Sequence, residues 1–323
     1  MKLQLLFSNV PDNLPMLSAD HTLQRMLARG EVEWLDVSAE ELLCQQFGVA
    51  KQQDWPLAAL ARVGQGLPAD DAYWLLASPV HLLLQRDSFL LAQPAPLALA
   101  ADEQEALRGS LNRHFVDEGF ELLPGGHAGW FMRLETPPEL STTLLDAAVG
   151  RDVAACLPHG RDAQRWRQLL NEMQMLLFEH EVNQAREARG EPAVNSLWIY
   201  GGGTLPVAEE TVLSKTYGGS DCLKGLALRT GVEHATFQGM QAVLQPRQEH
   251  VLLQAAYRDL ETGWSEVLWQ ALKSWHVKQV QLYFPWMGRM LRLSMQPVDI
   301  WKVWRKPQAI EMYFYGADQA KKR

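Results

Sequence analysis

Apolar and polar positions follow two different periods along the chain. Over the first seventy residues apolar side chains recur at helical spacing in short runs, each closed by a glycine. Residues 19–28 predict a helix that ends at Gly30. Ser38 with Glu41 three positions later is a capping-box pattern for a helix closing at Gly48. Asp54 before Trp55-Pro56 predicts the start of a third, stopped by Gly64. From 72 to 92 the pattern changes. AYWLLA is the continuous apolar run of a buried strand, broken at Ser78-Pro79. VHLLL, the turn QRDS and FLLA read as a hairpin ended by Pro94 and Pro96. Asp102 with Glu105 caps a helix to Glu118, and FELLP, GGHAG and WFMRLE read as a second hairpin with a glycine-rich turn.

In the second half a connector, 150–160, leads into one long helix over 161–189, with Trp166, Leu169, Leu170, Met173, Leu176 and Leu177 at helical spacing. Gly190 and Pro192 end it. Residues 194–200 (VNSLWIY) predict a strand that runs straight into Gly201-Gly202-Gly203-Thr204. Ser220 and Asp221 open a helix that stops at Gly231. The tail adds VLLQAAY, a helix over 264–275, and VQLYF and MLRLSM about a turn at Met287-Gly288. Helices alternate with strands, so the expected fold class is α/β: a mixed, mainly parallel sheet flanked by helices, with added β-hairpins. The chain reads as one large α/β unit over 1–323, with Pro137-Pro138 as the boundary candidate.

Composition narrows the function classes. Thirty basic against 38 acidic residues leave a net charge of -8, which argues against a nucleic-acid partner, because phosphate neutralisation needs a basic face. Cys44, Cys156 and Cys222 are far apart and form no CxxC pair, which fits a reducing compartment and a cytoplasmic location. No apolar run is long enough for a membrane span and no signal-peptide pattern follows Met1, so no membrane partner is expected. Tryptophan (12) outnumbers phenylalanine (10) and tyrosine (7), which implies either a core with wet margins or an aromatic-lined surface.

Most catalytic patterns fail on inspection. His180-Glu181 begins a zincin motif, but Gln184 stands where the second imidazole belongs. No serine lies in GxSxG, no DG dipeptide occurs, and Asp20-His21 has no second such pair. Asp70-Asp71 and Glu179/Glu181 read as solvated charges, and Cys156 near His159 reads as a buried, inert thiol. What remains is a pair of anion-suited elements. His159, Gly160 and Arg161 stand at a predicted helix N-terminus, where free amides, the dipole and a guanidinium favour an anion. Gly201, Gly202, Gly203 and Thr204 follow a strand, where backbone amides can form an anion-binding concavity. The triplet lacks the spacing of GxGxxG and the lysine of a P-loop, and it is equally what a sharp turn needs. Arg133 and His81 are secondary ligand candidates.

Three blocks carry a resemblance. YWLLASPVHLLLQRD, GRDVAACLPHGRDAQRWRQLLNEMQMLLF and REARGEPAVNSLWIYGGGTLP resemble the RpfE-type bacterial regulatory proteins, whose members are often labelled cofactor-independent phosphoglycerate mutase-like. SLWIYGGGTLP and LKGLALRTGV are similar to the archaeal-type mutases. That second resemblance implies an alkaline-phosphatase-like α/β fold with two metal ions and a phosphorylated serine. The departures are specific: LFSNVPDN has no Asp-Gly ligand pair, no histidine after Gly231 follows an aspartate, and Ser78 stands where the regulatory family often carries an acid. The expectation is therefore a mutase-like regulatory or ligand-sensing protein without cofactor or metal ligands, its partner a small phosphorylated or carboxylated metabolite. A metal-dependent phosphoryl-transfer enzyme is the first alternative. The second is a protein-interaction module using Trp264, Trp301 and Trp304 on its surface.

Overall fold

The computed structural model describes residues 1–8, 17–86, 88–93, 97–126, 129–207, 210–245, 248–286 and 288–320. Pro94, Pro96 and Met287, the middle of GGHAG and most of LFSNVPDN lie outside them.

In chain order, β1 (Lys2–Ser8), α1 (His21–Arg29), β2 (Glu31–Leu35) and α2 (Ala39–Gln46) come first. Asp20 caps α1 by accepting from the Leu23 amide at 2.9 Å, and Ser38 caps α2 through the Glu41 amide at 3.0 Å. The next helix, α3 (Leu57–Gly64), starts after Pro56 and has no side-chain cap. Asp54, expected to begin it, turns its carboxylate to residues 141–142 instead. β3 (Tyr73–Val80) passes through Ser78-Pro79 without a break. Its pairing with β7 (Trp130–Leu134) stops at Ala77, so the missing N–H of Pro79 interrupts no ladder on that side.

Both predicted hairpins form: β4 (Leu82–Leu84) with β5 (Phe89–Leu91), and β6 (Phe120–Leu123) with β7. Between them α4 (Ala101–His114) ends four residues before Glu118. The expected long helix is two: α5 (Ala163–Phe178) and α6 (Glu181–Ala188). His180 makes the break by capping α6, its Nδ1 accepting from the Val182 amide at 3.2 Å. The proton must then sit on Nε2, which donates to Ser110 Oγ at 3.0 Å. β8 (Ser196–Gly203) carries the glycine triplet inside the strand. The chain closes with β9 (Lys215–Tyr217), α7 (Asp221–Thr230), β10 (Glu233–Ala235), β11 (His250–Ala256), α8 (Trp264–Lys273), β12 (Gln279–Trp286), β13 (Arg289–Met295) and α9 (Ile310–Ala320).

The chain divides into two compact units, the first 1–48 with 208–323 and the second 49–207. Pro137-Pro138 lies inside the second, and the single unit expected from the sequence is two. The first unit holds a seven-stranded sheet in the order β10-β9-β11-β1-β12-β13-β2. Its first five strands pair in parallel, and β13 and β2 add antiparallel, which is the expected mixed, mainly parallel α/β arrangement. One face carries Leu3, Leu5, Phe7, Val251, Leu253, Val280, Leu282 and Phe284 into a core with α1 and α8. The second unit holds the antiparallel sheet β6-β7-β3-β8. Tyr73, Leu75, Ala77, Trp130 and Met132 on one face pack on Leu107 and Leu111 of α4 and Trp166, Leu169 and Met173 of α5. No helix among the described residues is long and apolar enough to cross a membrane.

Candidate functional site

The glycine triplet is a β-bulge. Leu76 pairs with Tyr200 and Trp74 with Gly203, so three residues of β3 face four of β8. Gly201 absorbs the extra residue with φ +67°, a conformation glycine adopts without steric cost. All three glycines are buried. A Cβ added to Gly201 would stand 2.9 Å from Leu57 Cβ, on Gly203 2.7 Å from Pro56 Cβ, and on Gly202 2.5 Å from the Tyr73 hydroxyl. The triplet therefore lets α3 and the Pro56 turn lie directly on the strand. Thr204 is clamped by Gln52, whose amide group donates to the Thr204 carbonyl at 2.9 Å and accepts from its N–H at 3.0 Å.

The second element is built by a bridge. His159 and Ser141 exchange two backbone hydrogen bonds, 2.7 and 2.9 Å long. Gly160 has φ +123°, and a Cβ there would stand 2.2 Å from the Glu139 carbonyl oxygen, so the position needs glycine on both counts. Arg161 is exposed and pairs with Glu139 at 2.8 Å, and Asp162 accepts from the Glu139 amide at 2.8 Å. His159 is exposed at the start of α5.

The break at His180 makes α5 and β8 nearly equal in length. Sixteen residues make α5 about 24 Å long, close to the about 26 Å of eight-residue β8. Both elements are held by one loop. Gln52 holds Thr204, Gln53 accepts from the Leu140 amide at 2.6 Å, and Asp54 binds Ser141, the residue bridged to His159. What that loop brings is not positive. Asp54 is 5% exposed and accepts from Ser141 Oγ at 3.1 Å and from the Thr142 amide at 3.0 Å. Burial, and then the charge of Asp54, push the Tyr73 phenol well above its ordinary range. A buried carboxylate, a neutral phenol and packed hydrocarbon surround this loop, which is no setting for an anion.

Arg133 lines a cleft of about 330 Å³ with Asn112, Val116, Phe120, Glu121 and Glu135. It stands directly opposite Glu121 across the β6–β7 pair. Two carboxylates around one guanidinium leave this lining net negative. His81 sits 2.7 Å from the Ala193 carbonyl oxygen through Nδ1, which must donate, so the ring fastens the approach to β8.

Sequence reasoning passed over the edge where doubly wound sheets seat their ligands, the carboxyl ends of the parallel strands. In the first unit, β1 ends at Phe7-Ser8, β11 is followed by Tyr257, and β12 ends in Phe284-Pro285-Trp286. Phe7 stacks on Phe284 with centroids 4.5 Å apart and planes at 9°, and meets Trp264 edge-on at 5.4 Å. Tyr257 packs on Trp264 at 5.9 Å and Trp286 on Phe314 at 5.1 Å. All six rings are buried. Trp264, expected at the surface, belongs to this cluster. The aromatic endings of LLF and LYFPW were the available signal. Such a ring cluster does not fit a pair of divalent cations, which take oxygen, nitrogen or sulfur donors. Among the described residues no group of three or more His, Cys, Asp or Glu could hold a metal ion.

No family model matches the chain. In sequence it is similar to the 2,3-bisphosphoglycerate-independent phosphoglycerate mutase of Methanosarcina mazei, 28% identical over 210 residues, covering 60% of this chain and 49% of that protein. It is also similar to the 2,3-bisphosphoglycerate-independent phosphoglycerate mutase 2 of Methanothermobacter thermautotrophicus, 32% identical over 121 residues, 35% of this chain and 28% of that one. The matches thus span about half the length of the first relative and just over a quarter of the second. Among solved structures, the cofactor-independent phosphoglycerate mutase of Thermoplasma acidophilum aligns with TM-score 0.40 and 15% identity over 92% of this chain and 90% of that one. The PH0037 protein of Pyrococcus horikoshii aligns with TM-score 0.46 and 16% identity over 91% and 87%.

Proposed function

We propose that this chain is a regulatory, RpfE-type relative of the phosphoglycerate mutases that works by binding and not by metal-assisted phosphoryl transfer. The observation that carries this reading is the ring cluster of Phe7, Tyr257, Trp264 and Phe284 at the carboxyl edge of the parallel strands. Phosphoryl transfer needs positive charge placed against developing negative charge; the rings supply none, and the charged group against Tyr257 is the Asp20 carboxylate, which accepts from Ser265 Oγ at 2.7 Å. The alternative of a metal-dependent mutase or phosphatase is the one this edge supports less.

The ligand we assign is a small phosphorylated or carboxylated anion at the start of α5, held by Arg161, with His159 and the Gly160 backbone beside it. Gly201, Gly202, Gly203 and Thr204 drop out of the binding set, since packing uses them. Glu139 is the intramolecular competitor for Arg161. Two measurements test the reading. Purified protein supplied with manganese or magnesium should not interconvert 2- and 3-phosphoglycerate; turnover at an enzyme-like rate rejects the regulatory assignment. Calorimetry with 3-phosphoglycerate and inorganic phosphate should show binding that Arg161→Ala abolishes. Glu139→Gln should strengthen it by up to about fivefold, since an exposed pair is worth at most ~1 kcal/mol. Equal binding by all three proteins rejects the site.

A further inference from the structure

Trp301 and Trp304 are 65% and 73% exposed, and Val298 and Val303 stand out beside them. Four large apolar side chains within seven residues are left in water, where each forgoes burial. The segment is pinned at both ends. Ile300 and Ile310 are buried, and Arg29 donates to the Ile300 carbonyl at 2.5 Å. Arg29 is itself braced over the Trp269 ring at 5.3 Å. Between the pins, residues 303–309 are exposed without exception. The indoles are therefore presented on a fixed projection.

Its charge is opposite to that of the whole. Residues 301–309, WKVWRKPQA, contain Lys302, Arg305 and Lys306 and no acid, in a chain of net charge -8. Lys302 is paired with Asp299 at 2.6 Å, and Arg305 reaches the Gly30 carbonyl at 3.2 Å while staying exposed. Three occupants can be compared. A second copy meeting this patch isologously would set Arg305 and Lys306 against themselves. An acidic peptide would need a groove to lie in, whereas a run exposed at every position is a convexity. An anionic bilayer surface asks for what is present: exposed indoles that settle at headgroup depth, exposed valines close to them in sequence and basic groups for the phosphates.

We infer that the Trp301–Trp304 projection docks the protein on anionic phospholipid surfaces. This proposal runs counter to the expectation of no membrane partner and is independent of the ligand assigned at Arg161. The test is co-sedimentation of the full chain with vesicles of phosphatidylcholine alone or mixed with phosphatidylglycerol, at low and high salt. Binding should require phosphatidylglycerol and weaken with salt. Trp301→Ala/Trp304→Ala should cut it about tenfold or more. Lys306→Glu, a second exposed site, should cut it about fivefold or more. Unchanged thermal unfolding of both variants shows that the fold is intact. Absence of binding to either vesicle, or equal binding by the double variant, overturns the inference. So does a dimer in sedimentation equilibrium that the double variant dissolves, which gives the patch to a second copy. Retention of the wild type, but not the double variant, on polyglutamate without vesicle binding overturns it in favour of an acidic polypeptide.

Discussion

Gly201 and Leu57 meet so closely that a single methyl group on the glycine would stand 2.9 Å from Leu57 Cβ. The contact joins the bulge of β8 to the first turn of α3, two elements of the second unit that lie far apart in sequence.

Gly201→Ala should therefore destabilise the protein twice over. The left-handed backbone costs a β-carbon about 1–2 kcal/mol, and the clash with Leu57 adds about 1–3 kcal/mol of overpacking. Urea titration should show a loss of about 2–5 kcal/mol. A change below about 0.5 kcal/mol would mean that the triplet is an open loop after all.

Stability should fall in acid through Glu103. Burial pushes its carboxyl up, but the Ala100 amide, Arg189 and Arg186 together hold it below the ordinary carboxylate value. A carboxyl whose folded pKa is depressed contributes stability above its unfolded value, and that contribution is lost as pH falls through the folded value. The loss should begin below pH about 4.5. Glu103→Gln leaves Arg186, 4% exposed, with a weaker set of partners. It should cost about 3 kcal/mol at pH 7 and flatten the acid limb of the stability curve. An unchanged limb would remove Glu103 as its source.

Trp275 follows α8 with φ +60°, the one non-glycine described in that region of backbone space, and its side chain is 61% exposed. Little packing repays the strain. Trp275→Gly should raise stability by about 1 kcal/mol, seen as a higher melting temperature. A lower one would mean that the indole has a partner surface.

Much of the fold was legible because its signals are local. The two hairpins announce themselves by apolar runs around polar or glycine-rich turns, and α7 by Ser220, whose hydroxyl accepts from the Leu223 amide at 3.2 Å. The break between α5 and α6 was not legible. EHEV contains no glycine or proline, and the cap depends on His180 reaching Ser110, 70 residues away. The glycine triplet misled for a related reason, since an anion loop and a bulge ask for the same residue. Only Leu57, Pro56 and Tyr73, all distant in sequence, decide between them. At the carboxyl edge of the first sheet the aromatic residues were visible, but their meeting depends on strand order, which no local pattern encodes.

The second unit is spliced between the halves of the first. β1 lies between β11 and β12, and Leu5 is in register with Leu253 on one side and Leu282 on the other. During synthesis β1 must wait with both edges bare until β11 (250–256) is made, and with one edge bare until β12 (279–286), while residues 49–207 already have every partner of their own sheet. β1 is thus made before the whole of the second unit and secured after it, and its LQLLF run is a stretch that a nascent chain has most need to keep from pairing elsewhere.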